Sequence, residues 1–179
     1  MTSVAIVREK EMGTMEILLV SPVRPIFVIL SKAVPYLVLS LVNLATILLL
    51  SRFVLDVPVA GSIIGLLLVS LLFILVSLAL GLFISCLAQT QAAALLISAM
   101  VLMIPTILLS GMIFNIESMP GILQVLSDFI PARWYIGLVR KIMIEGVPMH
   151  YVWNEVGILL LMLVVFVGIS LRLFKNRLN

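Results

Sequence analysis

The chain has 179 residues, a formal net charge of +3, 64% hydrophobic residues and only 11% charged ones. Soluble domains are roughly 45–50% apolar and about 25% charged, and so short a chain has too little interior to hide that much apolar surface. The composition excludes a cytosolic globular enzyme, a disordered chain and a disulfide scaffold, and points to an integral membrane protein. The single cysteine, Cys86, excludes an internal disulfide and a multi-cysteine metal site.

Residues 1–31 form a polar lead-in. It is not a signal peptide, because a charged cluster follows Met1 to Val7 at once, and it carries no lipidation signal. From Arg8 it reads Arg-Glu-Lys-Glu-Met-Gly-Thr-Met-Glu-Ile-Leu-Leu-Val-Ser-Pro. As a helix it places Met12, Met15 and Leu19 on one face and Glu9 and Glu16, two turns apart, on another. Pro22 and Pro25 stop that helix before the first span. A helix lying on anionic lipid favours Lys and Arg. The acids mixed into this one fit a protein partner with basic and polar contacts better than a bare membrane surface.

Four stretches then reach the roughly 20 apolar residues that a crossing helix needs. They run from about Ala33 to Ser51, Ala60 to Ala88, Ala92 to Phe114 and Tyr151 to Phe174. The runs are continuous and Leu-rich rather than alternating, so helices are expected rather than strands, and helices satisfy the backbone in lipid. The expected organisation is therefore lead-in 1–31, three transmembrane helices in 32–114, an outer segment 115–150, a fourth transmembrane helix 151–174 and a tail 175–179. The first span has a polar side at Asn43 and Thr46. In the second, Gly61 and Gly65 form a GxxxG, and Ser77, Gly81 and Ser85 repeat at four-residue spacing; such stripes let helices pack closely. Pro105 should bend the third span, with Thr106 and Ser110 placed to satisfy freed carbonyls. Cys86 falls at the inner end of the second span, partly buried beside the small-residue stripe.

The outer segment has its own helical signals. Ser118 can cap a helix with Pro120 in its first turn and Ile122, Leu126 and Phe129 along one side. Pro131 breaks the chain. A second helix brings Trp134, Leu138 and Ile142 together, sets Arg133, Gly137, Arg140 and Lys141 on another face, and ends at Gly146. Aromatic and basic residues on short amphipathic helices suit the lipid interface.

Lys and Arg near span ends set orientation. Seven (Arg8, Lys10, Arg24, Lys32, Arg172, Lys175, Arg177) lie on the side of the termini and four (Arg52, Arg133, Arg140, Lys141) on the other, which places both termini in the cytoplasm. Arg133, Arg140 and Lys141 run against the bias, so they are expected to hold the short helices at the outer headgroups.

The lead-in run from Arg8 to Leu18, followed by Ser21-Pro22-Val23-Arg24-Pro25, resembles the coupling segment of ABC transporter type-2 permeases. The outer run Gly111-Met112-Ile113-Phe114-Asn115-Ile116-Glu117-Ser118-Met119-Pro120, with Leu123-Gln124, Pro131, Tyr135 and Arg140, resembles the outer re-entrant helices of that family, with Asn115 where relatives often have Pro. The resemblance implies an all-α inner-membrane permease subunit of an ATP-driven exporter. Arg8, Glu9, Lys10, Glu11, Gly13, Thr14, Glu16 and Leu18 would touch a separate ATP-binding subunit, which holds the ATP. Pro120, Pro131, Arg133, Tyr135, Arg140 and Lys141 would build the outer interfacial helices. A second permease subunit would complete the pathway. It also implies that the chain corresponds to the later part of a six-span unit, with Thr2 to Val7 as the tail of a second span: a fragment, a split gene product or a truncated reading frame.

Other chemistry lacks its residues. No GxxxxGK[ST] is present, so this chain holds no P-loop. There is no GxSxG, His150 stands alone, and Asp56 and Asp128 both fall in outer segments. No cofactor, metal or nucleic-acid partner is expected; the pI near 9.4 reflects flanking charge, not a basic patch. No charge lies near a span centre, which argues against ion coupling; Glu155, one turn into the last span, reads as an interfacial group. Two rivals remain: a non-transporting membrane assembly subunit, and an oligomeric channel, which would need a polar stripe across the whole thickness.

Overall fold

The computed structural model describes residues 2–11, 25–57 and 59–176. Every regular element among them is helical: α1 (Thr2–Glu11), α2 (Pro25–Phe53), α3 (Ile63–Leu87), α4 (Gln91–Ser98), a π-helical turn (Ala99–Met103), α5 (Ile104–Leu109), α6 (Gly121–Asp128), α7 (Pro131–Met143) and α8 (Trp153–Asn176), with single 3₁₀ turns at Ile116–Ser118 and Met149–Tyr151. Four helical stretches are long and apolar enough to cross a membrane: Ala33–Phe53, Ile63–Leu87, Gln91–Leu109 and Trp153–Leu173. The chain is thus an all-α, multi-pass membrane protein.

The bundle is organised on α3, which packs against α1, α2, α7 and α8. Its buried residues lie on more than one face: Leu66 and Val69 meet α7 and α8, while Gly81 and Ser85 meet α1. By contrast α2 is peripheral, with Val38, Val42 and Ile47 exposed on a surface that only lipid or another helix would cover. The hydroxyl of Thr46 on that helix donates to its own Val42 carbonyl at 2.9 Å, which removes it as an external hydrogen-bond donor.

α1 runs alongside α3 in the same direction. Thr2 lies against Gly81, the Val7 amide donates to Ser85 Oγ at 3.2 Å, and Glu11 reaches Gln91 at the start of the third span. A Cβ added to Gly81 would sit 2.9 Å from Thr2 Cβ, so the small-residue stripe is what lets α1 approach. Gly81 and Ser85 serve that contact; Ser77 is exposed. The other small pair works differently from a helix-packing GxxxG. Gly61 precedes α3, and an added Cβ there would lie 2.5 Å from the Ile142 carbonyl oxygen, while Gly65 faces the sulfur of Met149. Gly61 makes room for the end of α7, and Gly65 for the turn that precedes α8.

The third span is not one α-helix. Pro105 has no N–H to give the carbonyl four residues back, and its ring crowds that turn. The chain answers by widening: Ala99–Met103 forms a π-turn, and the Ile104 amide bonds to the Ala99 carbonyl. The Ser98 hydroxyl donates to Ala94 O at 2.7 Å just before it. The helix stops at Leu109, short of the Phe114 expected from hydropathy, because Gly111 turns the chain at φ +81°.

Segment 115–150 also departs from expectation in one respect. Ser118 does not cap a helix containing Pro120. Proline disfavours a helical conformation in the residue before it; Met119 is accordingly extended (ψ 152°), Ile116–Ser118 closes as a separate 3₁₀ turn, and Pro120 becomes the N-cap of α6. Pro131 likewise occupies the first turn of α7 rather than an intervening break. Leu138 and Ile142 are buried with Trp134 packed against them, and Gly146 turns at φ +64°.

Candidate functional site

Two clusters of polar side chains stand at opposite ends of the bundle, with a cavity between them. At the lead-in end, α4 needs acceptors for the free amides of its first turn. Thr90 supplies one: its hydroxyl oxygen accepts from Ala93 N at 3.1 Å, while its carbonyl takes the first helical bond, from Ala94 N at 3.0 Å. A residue 80 positions away supplies another. Glu11 Oε1 accepts from the Gln91 amide at 2.8 Å, and its Oε2 accepts from Gln91 Nε2 at 2.5 Å. A carboxylate there also meets the positive end of the α4 dipole. Val7, Ala88 and Ala94 form a small buried cluster directly above. Sequence reasoning placed Glu11 in a contact with a partner subunit; here both its oxygens are engaged within the chain.

Of the other lead-in candidates, Arg8 is exposed. Glu9 and Lys10 lie on α1, their side chains outside the described set, and Gly13, Thr14, Glu16 and Leu18 lie outside the described residues altogether.

At the opposite end α6 and α7 are pinned to each other and to the bundle. Arg133 Nη1 pairs with the Asp128 carboxylate and donates to Ser127 Oγ at 2.6 Å and to the Gln124 carbonyl at 3.1 Å. A cation is well placed on the last turn of α6, where carbonyls point outward. The same guanidinium lies 5.3 Å from the Trp134 ring centroid, and Trp134 Nε1 donates to Asp128 O at 3.0 Å. Lys141 Nζ pairs with Glu155 Oε1 at 2.6 Å, tying α7 to the first turn of α8. Tyr135 reaches inward: its hydroxyl is 3.0 Å from Ser70 Oγ, and its ring stacks on Phe73 with centroids 4.2 Å apart. The basic residues that were expected together at the headgroups therefore divide. Arg133 and Lys141 are paired within the chain; Arg140 is exposed. Asp128, Glu155, Ser70 and Phe73 were not picked out as their partners. The i, i+5 spacing of Asp128 and Arg133 was the one local signal, since the rest depends on how helices distant in sequence cross.

Between the clusters lies a cavity of about 680 Å³, walled by α3, both halves of the third span, the start of α7 and Phe166 of α8. Its lining is apolar apart from Ser77, Ser98 and Thr106, which come from α3 and the broken span. The π-turn thus sits in the wall, through Val101, Leu102 and Met103. Among the described residues, no three His, Cys, Asp or Glu side chains converge on a metal site.

Comparison with known proteins identifies the family. A family model described as "ABC-2 family transporter protein" matches residues 1–172. The "Probable multidrug ABC transporter permease YbhS" of Escherichia coli K12 is 35% identical over all of this chain, which covers 48% of that protein. The "Probable multidrug ABC transporter permease YbhR" of the same organism is 31% identical over 98% of the chain, again 48% of its own length. "ABC transporter G family member 20" of Dictyostelium discoideum is 29% identical over 98% of the chain and 24% of itself. No solved structure matches. The chain spans about half the length of the bacterial relatives it matches. With nearly its whole length aligned to the family, and four crossing helices of the kind that a membrane permease requires, this chain belongs to the ABC-2 family of transporter proteins.

Proposed function

We propose that the chain is permease machinery of an ATP-driven exporter in the inner membrane, with both termini in the cytoplasm. The family match over residues 1–172 carries this reading. Relatives named as probable multidrug permeases support efflux as its direction. The chemistry is consistent. The residues given hold no P-loop and no ionisable residue at a span centre, which fits driving energy supplied from outside them by an ATP-binding unit. In this reading an ATP-binding subunit docks on the lead-in around Glu9 to Leu18, a second permease unit completes the pathway, and this chain is itself non-catalytic. The apolar cavity, with its three hydroxyls, is suited to a largely apolar substrate.

The test is at the lead-in. Charge-assisted hydrogen bonds to a partner are worth roughly 1.5–3 kcal/mol each. Replacing Glu9 and Glu16 together by Ala is expected to cut co-purification of the ATP-binding subunit at least tenfold and to abolish ATP-dependent transport in vesicles, while the spans still insert. Normal capture together with normal transport in the double variant would return the segment to a membrane-surface helix.

A further inference from the structure

The end of α1 is held at three heights. The Val7 amide donates to Ser85 Oγ on α3, the Val7 side chain is buried with Ala88 and Ala94, and the Glu11 carboxylate takes both donors of Gln91. The first of these contacts goes to α3. The last goes only to the third span, at its first residue. Glu11 is also where α1 ends and the segment read as the docking site for the ATP-binding subunit continues.

The third span is built to yield. Its π-turn, Ala99–Met103, begins at the residue after α4 ends, and Pro105 follows it with only Ile104 between. A π-turn with a proline behind it lacks the regular bond ladder that stiffens an α-helix, so the two halves can shift relative to each other. Ser98, Leu102, Met103 and Thr106 from this joint form part of the wall of the 680 Å³ cavity. The Glu11–Gln91 contact is exposed to solvent. Water can replace a hydrogen bond at an exposed site with little net loss, so the contact can be made and released during a working cycle.

We infer that Glu11 is the positioning residue that passes movement of the lead-in to the third span: its carboxylate pulls on the α4 N-terminus, the π-turn yields, and the cavity wall moves. The inference rests on the exporter reading. It differs from that reading in giving Glu11 an intramolecular role rather than a contact with the ATP-binding subunit.

The experiment uses the permease assembled with its ATP-binding subunit in nanodiscs, carrying a reporter cysteine, Met103→Cys, in the cavity wall; native Cys86 is buried and stays silent. Maleimide labelling of the reporter is timed with and without a non-hydrolysable ATP analogue. With Glu11 intact, the nucleotide is expected to change the labelling rate several-fold. With Glu11→Ala that response should disappear, although the ATP-binding subunit still co-purifies. Glu11→Gln keeps an acceptor oxygen for the Gln91 amide and should retain most of the response. A cap with a purely structural role would lower the melting temperature in Glu11→Ala and leave the nucleotide response in place, which would overturn the inference. An unchanged response in a fully stable Glu11→Ala protein would do so as well. If the ATP-binding subunit fails to associate even with Glu11 intact, the exporter reading falls and the inference falls with it.

Discussion

Gly61 shows how much a single missing methyl can carry in this bundle. The residue lies before α3, and a Cβ would press to 2.5 Å from the backbone oxygen of Ile142, which cannot swing aside as a side chain could. Next to it, the Ala60 amide donates to Met143 O at 3.0 Å, so the loop is fastened to the end of α7. Gly61→Ala is expected to loosen this junction and destabilise the protein by about 1–3 kcal/mol, the usual range for overpacking. Gly137, on α7, has nothing within 4 Å of where a Cβ would be. There, Gly→Ala should stabilise the helix by roughly 0.5–1 kcal/mol, because Ala loses less backbone entropy. Thermal unfolding of both variants in one detergent separates the two expectations. Local spacing marked Gly61 as part of a GxxxG, but the space is filled by Ile142, far along the chain at the end of α7. Nothing in the pattern around Gly61 specifies that.

At the scale of elements, α6 and α7 form a stapled pair rather than two independent surface anchors. Arg133 holds three acceptors of the α6 C-terminus, and Lys141 holds α8. Removing Arg133 leaves the Asp128 carboxylate unpaired and the α6 carbonyls without their cation. Arg133→Gln is expected to cost about 1–2 kcal/mol, toward the low end because Asp128 is half exposed. Arg140→Gln should lie within about 0.5 kcal/mol of the parent, as for most exposed positions. Trp134 stands against the Arg133 guanidinium, so its fluorescence during denaturation, read with Trp153→Phe in place, reports the first loss. The helices themselves were legible: alternation of apolar and basic residues and the prolines at 120 and 131 mark both of them. Their starts were less so. The restraint that Pro120 places on Met119 moved the first α-helical residue to Gly121.

Across the whole molecule, the third span is loosely packed beside a densely packed centre. α3 packs on α1, α2, α7 and α8, whereas the most apolar stretch of the third span is largely exposed. Its widened turn separates a half tied to Glu11 from a half that faces α6. The fold also decides how topology can be measured. Cys86 is buried, with 2% of its surface exposed, so its failure to react would say nothing about sidedness. Gln89 and Asp56 are exposed and lie at opposite ends of α3. In a Gln89→Cys protein, an impermeant thiol reagent added to intact cells should leave the new thiol unmodified; in Asp56→Cys it should react readily. The reverse pattern would place the termini outside.

The number of spans, their helical nature and their approximate limits follow from the sequence alone. Runs of apolar residues about twenty long have a single stable solution in lipid, since every backbone amide must be satisfied within its own segment. The two short amphipathic helices and the break at Pro105 were readable for the same reason: they depend on neighbours in the chain. Tertiary structure alone decided which polar groups meet. Glu11 and Gln91 are 80 residues apart, Ser70 and Tyr135 are 65 apart, and Lys141 and Glu155 belong to different helices. Such pairs are set by how helices cross and which small residues let them approach, and helix periodicity gives each helix its faces without naming the helix that each face will meet.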